Sequence, residues 1–151
     1  GDVLAGAGLE PGQLTLELTE RSTAPDLERL RRAVEVARAH GLGVALDDVG
    51  SGYSSLRTLV ELQPDYVKID GYLVGNCHRD PARRVIVETL AQLAHRLGCT
   101  TVAEGVEHPS ELDTVLGAGV DLAQGYLFAH PTRELLAPDA AVISRLRKAR
   151  A

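Results

Sequence analysis

Glu17, Asp47, Asp48, Lys68, Asp70, Glu104 and Gln124 share one local setting: each stands at or near the end of a short apolar run. The densest case is residues 43 to 52, Gly-Val-Ala-Leu-Asp-Asp-Val-Gly-Ser-Gly, where an apolar strand meets two adjacent carboxylates and then a glycine-rich turn. Two neighbouring acids at the mouth of a buried strand repel each other and are costly to desolvate, and a divalent cation compensates them well. Taken alone, this stretch reads more readily as an ordinary strand-to-turn junction, because Asp, Gly and Ser are what turns use. The repetition of the pattern along the chain favours the metal reading. If the strands are parallel, their ends gather several carboxylates, one amine and one amide. That oxygen-rich set suits Mg²⁺ or Mn²⁺, since neither histidine nor cysteine is among the candidate ligands. Lys68, between Val67 and Ile69, needs a carboxylate partner. It either forms a structural ion pair with Asp70 or Glu104 or holds and polarises a water between metals, and the sequence leaves both open.

The elements that must position these groups follow a regular rhythm. Leu14, Leu16 and Leu18 alternate with Thr15 and Glu17, as a strand does, and Glu20 follows at its exit. Thr23, Pro25 and Asp26 signal a helix start, and Leu27, Leu30, Val34 and Ala37 keep helical spacing up to Gly41. After the Asp-Asp strand, a short helix from about Ser54 to Leu62 is expected to face Leu56, Leu59 and Val60 inward. Tyr66 to Asp70 reads as a third strand. Asp80-Pro81 caps a long helix whose expected core stripe is Val85, Ile86, Leu90, Leu93 and Leu97, with Gly98 as its stop. Thr101 to Val106 is the fourth strand, near Glu104 and Glu107. A helix from about Pro109 to Leu116, a fifth strand around Leu122 to Leu127 and an amphipathic helix with Val142, Ile143 and Leu146 complete the chain. Alternating strands and helices demand a parallel sheet. An eight-stranded (β/α) barrel takes about 250 residues, so on that reading about three strands are not represented here. A doubly wound open sheet is the competing architecture.

At 151 residues and 44% apolar content, the chain can bury one core. It has neither a bilayer-length apolar run nor a signal region, so a cytoplasmic domain without membrane contact is expected. A net charge of −5 with interspersed signs argues against a nucleic-acid polymer as partner. Cys77 and Cys99 lack metal spacing and read as reduced, partly buried thiols, and His40, His78, His95, His108 and His130 are assigned no role. Gly50-Ser51-Gly52 is not a Walker loop and reads as a flexible loop over the site. The chain contains no methionine, which makes residue 1 a cleavage point or the edge of an excised piece.

The chain resembles the EAL-domain family of bacterial cyclic di-GMP phosphodiesterases from about Leu9 to Pro131. The motifs are Leu-Glu-Leu-Thr-Glu (16 to 20), Asp-Asp-Val-Gly-Ser-Gly-Tyr-Ser-Ser (47 to 55), Lys-Ile-Asp (68 to 70), Val-Ala-Glu-Gly-Val-Glu (102 to 107) and Gln-Gly-Tyr-Leu-Phe (124 to 128). The resemblance implies that residues 1 to 151 are the C-terminal portion of a TIM-like (β/α) barrel, with about five of its eight strands. It also implies two Mg²⁺ or Mn²⁺ ions and hydrolysis of cyclic di-GMP to linear pGpG. On this resemblance Asp47 bridges the metals, Glu17 binds one, and Asp48 and Glu104 belong to the other. Lys68 orients the attacking water with support from Asp70, Gln124 contacts that water or the substrate phosphate, and Glu20 anchors the Gly-Ser-Gly loop. Homodimers through the loop after Asp48 are implied as well. Val49 stands where the family usually has Phe. The Glu-Ala-Leu strand and the following Asn-bearing strand are absent, and both supply ligands in the family. Slow or absent turnover is therefore expected, and open sheet edges should favour self-association or a longer chain. The alternative reading is a non-catalytic module in bacterial signalling that binds cyclic di-GMP or a protein partner.

Overall fold

The computed structural model describes residue 6 and residues 8–19, 27–50, 55–134, 137 and 139–149. After a 3-10 turn at Pro11–Gln13, the elements are β1 (Thr15–Leu18), α1 (Leu27–Ala39), β2 (Gly43–Val49), α2 (Ser55–Leu62), β3 (Tyr66–Ile69) and a single-turn α3 (Gly71–Val74). They continue with α4 (Pro81–Arg96), β4 (Thr100–Ala103), α5 (Pro109–Gly117), β5 (Leu122–Ala123) and α6 (Ala140–Ala149). Glu20, the helix-start residues Thr23, Pro25 and Asp26, and residues 51–54 of the glycine-rich loop lie outside the described residues. None of the described helices is long and apolar enough to cross a membrane.

All neighbouring strands pair in parallel, in the order β1-β2-β3-β4-β5. A doubly wound sheet reverses its strand order at a switch point. This sheet never does, so the open-sheet alternative fails and the chain forms part of a (β/α) barrel. The central strands β2, β3 and β4 are largely buried under helices, whereas the edge strands β1 and β5 are mostly exposed. Val44, Leu46, Val67, Ile69 and Ala103 pack in one core with Leu59, Val87, Ala91, Leu112 and Val115. Both cysteines are free and buried, as expected, and burial pushes both thiols above their ordinary values.

The helices depart from the expected faces. In α2, Leu59 and Leu62 are buried, whereas Leu56 and Val60 are exposed. In α4 the buried stripe is Val87, Leu90, Ala91 and Ala94, with Leu93 and Leu97 at its margin and Val85 and Ile86 outside. A stripe with two alanines lets the helix lie close to the sheet, which the larger aliphatic side chains would prevent. The N-cap expectation holds: the Asp80 carboxylate accepts from Ala82 and Arg83 N–H, with Pro81 in the first turn. β5 is shorter than expected, because Gln124 and Gly125 turn the chain back. Val106 N–H donates to Gln124 O, and a Cβ on Gly125 (φ 154°) would overlap the Val106 backbone.

Candidate metal centre

Parallel strands point their C-terminal ends to the same rim, so each delivers its exit residue to a common place. Lys68, third residue of β3, is the hub. Its side chain is only 8% exposed, and Nζ lies 2.8 Å from Asp47 Oδ1, 2.9 Å from Glu104 Oε1 and 3.0 Å from Glu17 Oε2. Three strands thus contribute an acid to one ammonium. Gln124, just past β5, donates from Nε2 to the same Glu104 Oε1 at 2.7 Å. That bond leaves Glu104 held from two sides.

Adjacent residues of a regular strand point to opposite faces, so Asp47 and Asp48 should diverge. A bulge brings them together. Leu46 pairs with Val67 and Val49 with Ile69, so the two aspartates span the place of Lys68 alone on β3. Asp48 takes a left-handed backbone (φ 56°), a conformation Asp tolerates better than most residues. As a result Asp47, Asp48 and Glu104 each offer a carboxylate oxygen, all within 4.8 Å of one another.

These residues fit a divalent cation. One ammonium cannot neutralise the three carboxylates around it. Asp47 Oδ1 is buried and, despite facing Nζ, accepts no well-angled hydrogen bond among the described residues. An oxygen in that state is a ready ligand atom. Burial pushes the Glu104 carboxyl up, opposed by Lys68 and reinforced by Asp47 and Asp48. For Lys68, burial pulls downward, but the carboxylates of Asp47, Glu104 and Glu17 outweigh it and hold the ammonium well above its ordinary value.

Asp70 stands at the head of α3. Its carboxylate accepts from Tyr72 N–H at 2.8 Å and caps α3, and it is not among the ion-pair partners of Lys68. The sequence reading also missed Glu111. Its buried carboxylate accepts from Asn76 N–H at 2.7 Å and from Glu107 and His108 N–H at 3.0 Å, tying the loop after α3 to the loop after β4. The available signal was its third position in the helix that Pro109 opens, where an acid reaches back to the cap. Beside Gln124 opens a cavity of about 530 Å³ lined by Glu107, Tyr126 and His130 among others, the two rings tilted by 32° with centroids 4.3 Å apart.

The EAL domain profile matches residues 2–131, and the chain belongs to that family. Cyclic di-GMP phosphodiesterase PdeL of Escherichia coli (strain K12) is 38% identical over 119 residues, 79% of this chain and 33% of that protein. Cyclic di-GMP phosphodiesterase RocR of Pseudomonas aeruginosa is 36% identical over 130 residues, 83% of this chain and 32% of its own. The structure of Klebsiella pneumoniae BlrP1 in complex with manganese and cyclic di-GMP superposes with a TM-score of 0.81 at 38% identity. That match covers 86% of this chain and 33% of BlrP1. The chain therefore spans about a third of the length of these relatives.

Proposed function

We propose that this chain is the C-terminal portion of an EAL phosphodiesterase domain, and that its rim of acids takes part in metal-dependent hydrolysis of cyclic di-GMP to linear pGpG. The observation that carries the reading is the Lys68 hub: acids from three separate strands converge on one amine, with Asp48 brought alongside by a bulge. Glu17, Asp47, Asp48 and Glu104 are the groups that would hold two Mg²⁺ or Mn²⁺ ions. Such ions lower the pKa of a bound water and stabilise the charge of an in-line displacement.

The chain's own groups have distinct tasks. Lys68 Nζ lies within 3.0 Å of the three acids and is the donor that would orient the attacking water. Gln124 fixes Glu104 through its amide N–H. The cavity beside it, lined by Glu107 and Tyr126, offers room for a base of the dinucleotide next to the reacting phosphate. Within the family resemblance, two further donors belong to strands this chain does not contain, so turnover by these 151 residues is expected to be slow or absent.

The test is incubation with cyclic di-GMP and Mn²⁺ or Mg²⁺, with chromatographic separation of pGpG, run beside equilibrium dialysis of labelled cyclic di-GMP. Metal-dependent binding with slow pGpG formation, lost in Glu104→Gln, agrees with the proposal. Binding with no product, even when the Glu-Ala-Leu and Asn-bearing strands are supplied, would favour a non-catalytic binding module. Neither binding nor product would end both readings.

A further inference from the structure

The segment after β4 reaches the cavity beside Gln124 with its backbone already committed. Gly105 takes a left-handed conformation (φ 64°). Val106 N–H donates to Gln124 O, and Val106 O accepts from Leu127 N–H, both at 3.0 Å. Glu107 N–H donates at 3.0 Å to Oε2 of the buried Glu111 carboxylate, whose Oε1 accepts from Asn76 N–H. The Glu107 side chain is the part left over. It is exposed, lines the cavity of about 530 Å³ together with Gln124, and makes no hydrogen bond or ion pair among the described residues. The rings of Tyr126 and His130 line the same cavity.

Resting on the reading that this cavity takes a base of the dinucleotide, we infer that Glu107 is a specificity-determining residue that accepts guanine there and rejects adenine. A carboxylate only accepts, and its two oxygens take two parallel N–H donors at once. Guanine carries such a pair on one edge, the N1–H beside the 2-amino group. Adenine shows a bare N1 lone pair beside its 6-amino group, so the same carboxylate meets one donor and one repelling acceptor. Gln124 cannot make this choice, because an amide both donates and accepts and its Nε2 already serves Glu104. Tyr126 and His130 offer an aromatic surface on which either purine can stack, which adds affinity without preference. With the backbone held by Gln124, Leu127 and Glu111, little ordering remains when a base enters. Glu107 is not among the candidate metal ligands, so its role is separable from theirs.

The experiment is an amide NMR titration of the chain in chelator with the 5′-monophosphates of guanosine, inosine and adenosine in parallel, repeated with Glu107→Gln. Glu111 is served by the backbone N–H of Glu107 and not by its side chain, so this isosteric variant should fold. Saturable shifts at Gly105, Gly125 and Tyr126 are expected, with the guanine nucleotide binding about tenfold or more tighter than the adenine one. Inosine keeps N1–H and lacks the 2-amino group, so its nucleotide should fall between them. In Glu107→Gln the preference should collapse or reverse, because the donor and acceptor of an amide match the adenine edge. Equal affinities for the guanine and adenine nucleotides in the parent, a guanine preference that survives Glu107→Gln, or no saturable shift with any of the three would overturn the assignment. Chelator keeps the metal centre out of this measurement, so failure of the hydrolysis reading shows separately, as absent metal-dependent pGpG formation with the base preference intact.

Discussion

Replacing Lys68 with Met keeps the buried stem and removes the charge, which makes the cost of clustering the carboxylates measurable. Glu17 is about half exposed, so its pairing is screened and counts for little. Asp47 and Glu104 are only 17% and 15% exposed, and each sits within 2.9 Å of Nζ. At an effective dielectric of about 20, each contact is worth about 6 kcal/mol of attraction before desolvation is subtracted. Without the ammonium, carboxylate oxygens within 4.8 Å of one another repel by about 3.5 kcal/mol or more per pair at the same dielectric. Releasing Lys68 from burial offsets part of this, and breaking such a buried pair generally costs about 3–5 kcal/mol. Urea denaturation at pH 7 in chelator should show a loss of that size for Lys68→Met. In Mn²⁺ the gap should narrow by several-fold, because the cation supplies the positive charge the variant lacks. A variant as stable as the parent in chelator, or a gap unchanged by Mn²⁺, would refute the reasoning.

Other consequences follow from single residues. Glu111→Ala strands three backbone N–H groups and should cost about 3 kcal/mol or more, read as a lower urea midpoint without change in the denaturant slope. Gly125→Ala forces a Cβ onto the Val106 backbone and should displace Gln124, lowering cyclic di-GMP affinity more than overall helicity by circular dichroism. For Glu111 and Asp121, burial pushes upward, but backbone N–H donors, joined at Asp121 by Thr101 Oγ1 and His95, hold both carboxyls below their ordinary values. Their stabilisation is complete above the unfolded carboxylate values, about pH 4, and is lost as pH falls through the lower folded ones. Urea midpoints measured from pH 6 to pH 2.5 should therefore fall more steeply for the parent than for Glu111→Gln.

The parts of this fold legible in the sequence are those set by local pattern. Asp80-Pro81 and the apolar strands with acids at their ends were readable because caps and strand alternation are written in neighbouring residues. The inward faces of α2 and α4 were misjudged for one reason: Leu56, Val60, Val85 and Ile86 are more hydrophobic than the Ala91 and Ala94 that the close-packed sheet selects. Hydrophobicity marks what can be buried, while contact distance decides what is. At the site, the convergence of Glu17, Asp47, Glu104 and Gln124 was foreseen from parallel strand ends. The Asp47–Asp48 bulge was not, because a register shift is a property of the pairing with β3 and leaves no trace in β2 alone. Asp70 takes the local option of capping α3, accepting from Tyr72 N–H two positions on. Glu111 reaches Asn76, 35 positions away, and only the packed loops reveal that bond.

The central claim is that Asp47 and Glu104 are metal ligands clustered by the fold. Calorimetric titration of Mn²⁺ into the chelator-stripped chain tests it most directly. Saturable binding is predicted, weakened at least tenfold in Asp47→Asn and in Glu104→Gln and unchanged in Asp70→Asn, whose carboxylate serves α3. No saturable heat, or equal affinity in all the variants, would contradict it.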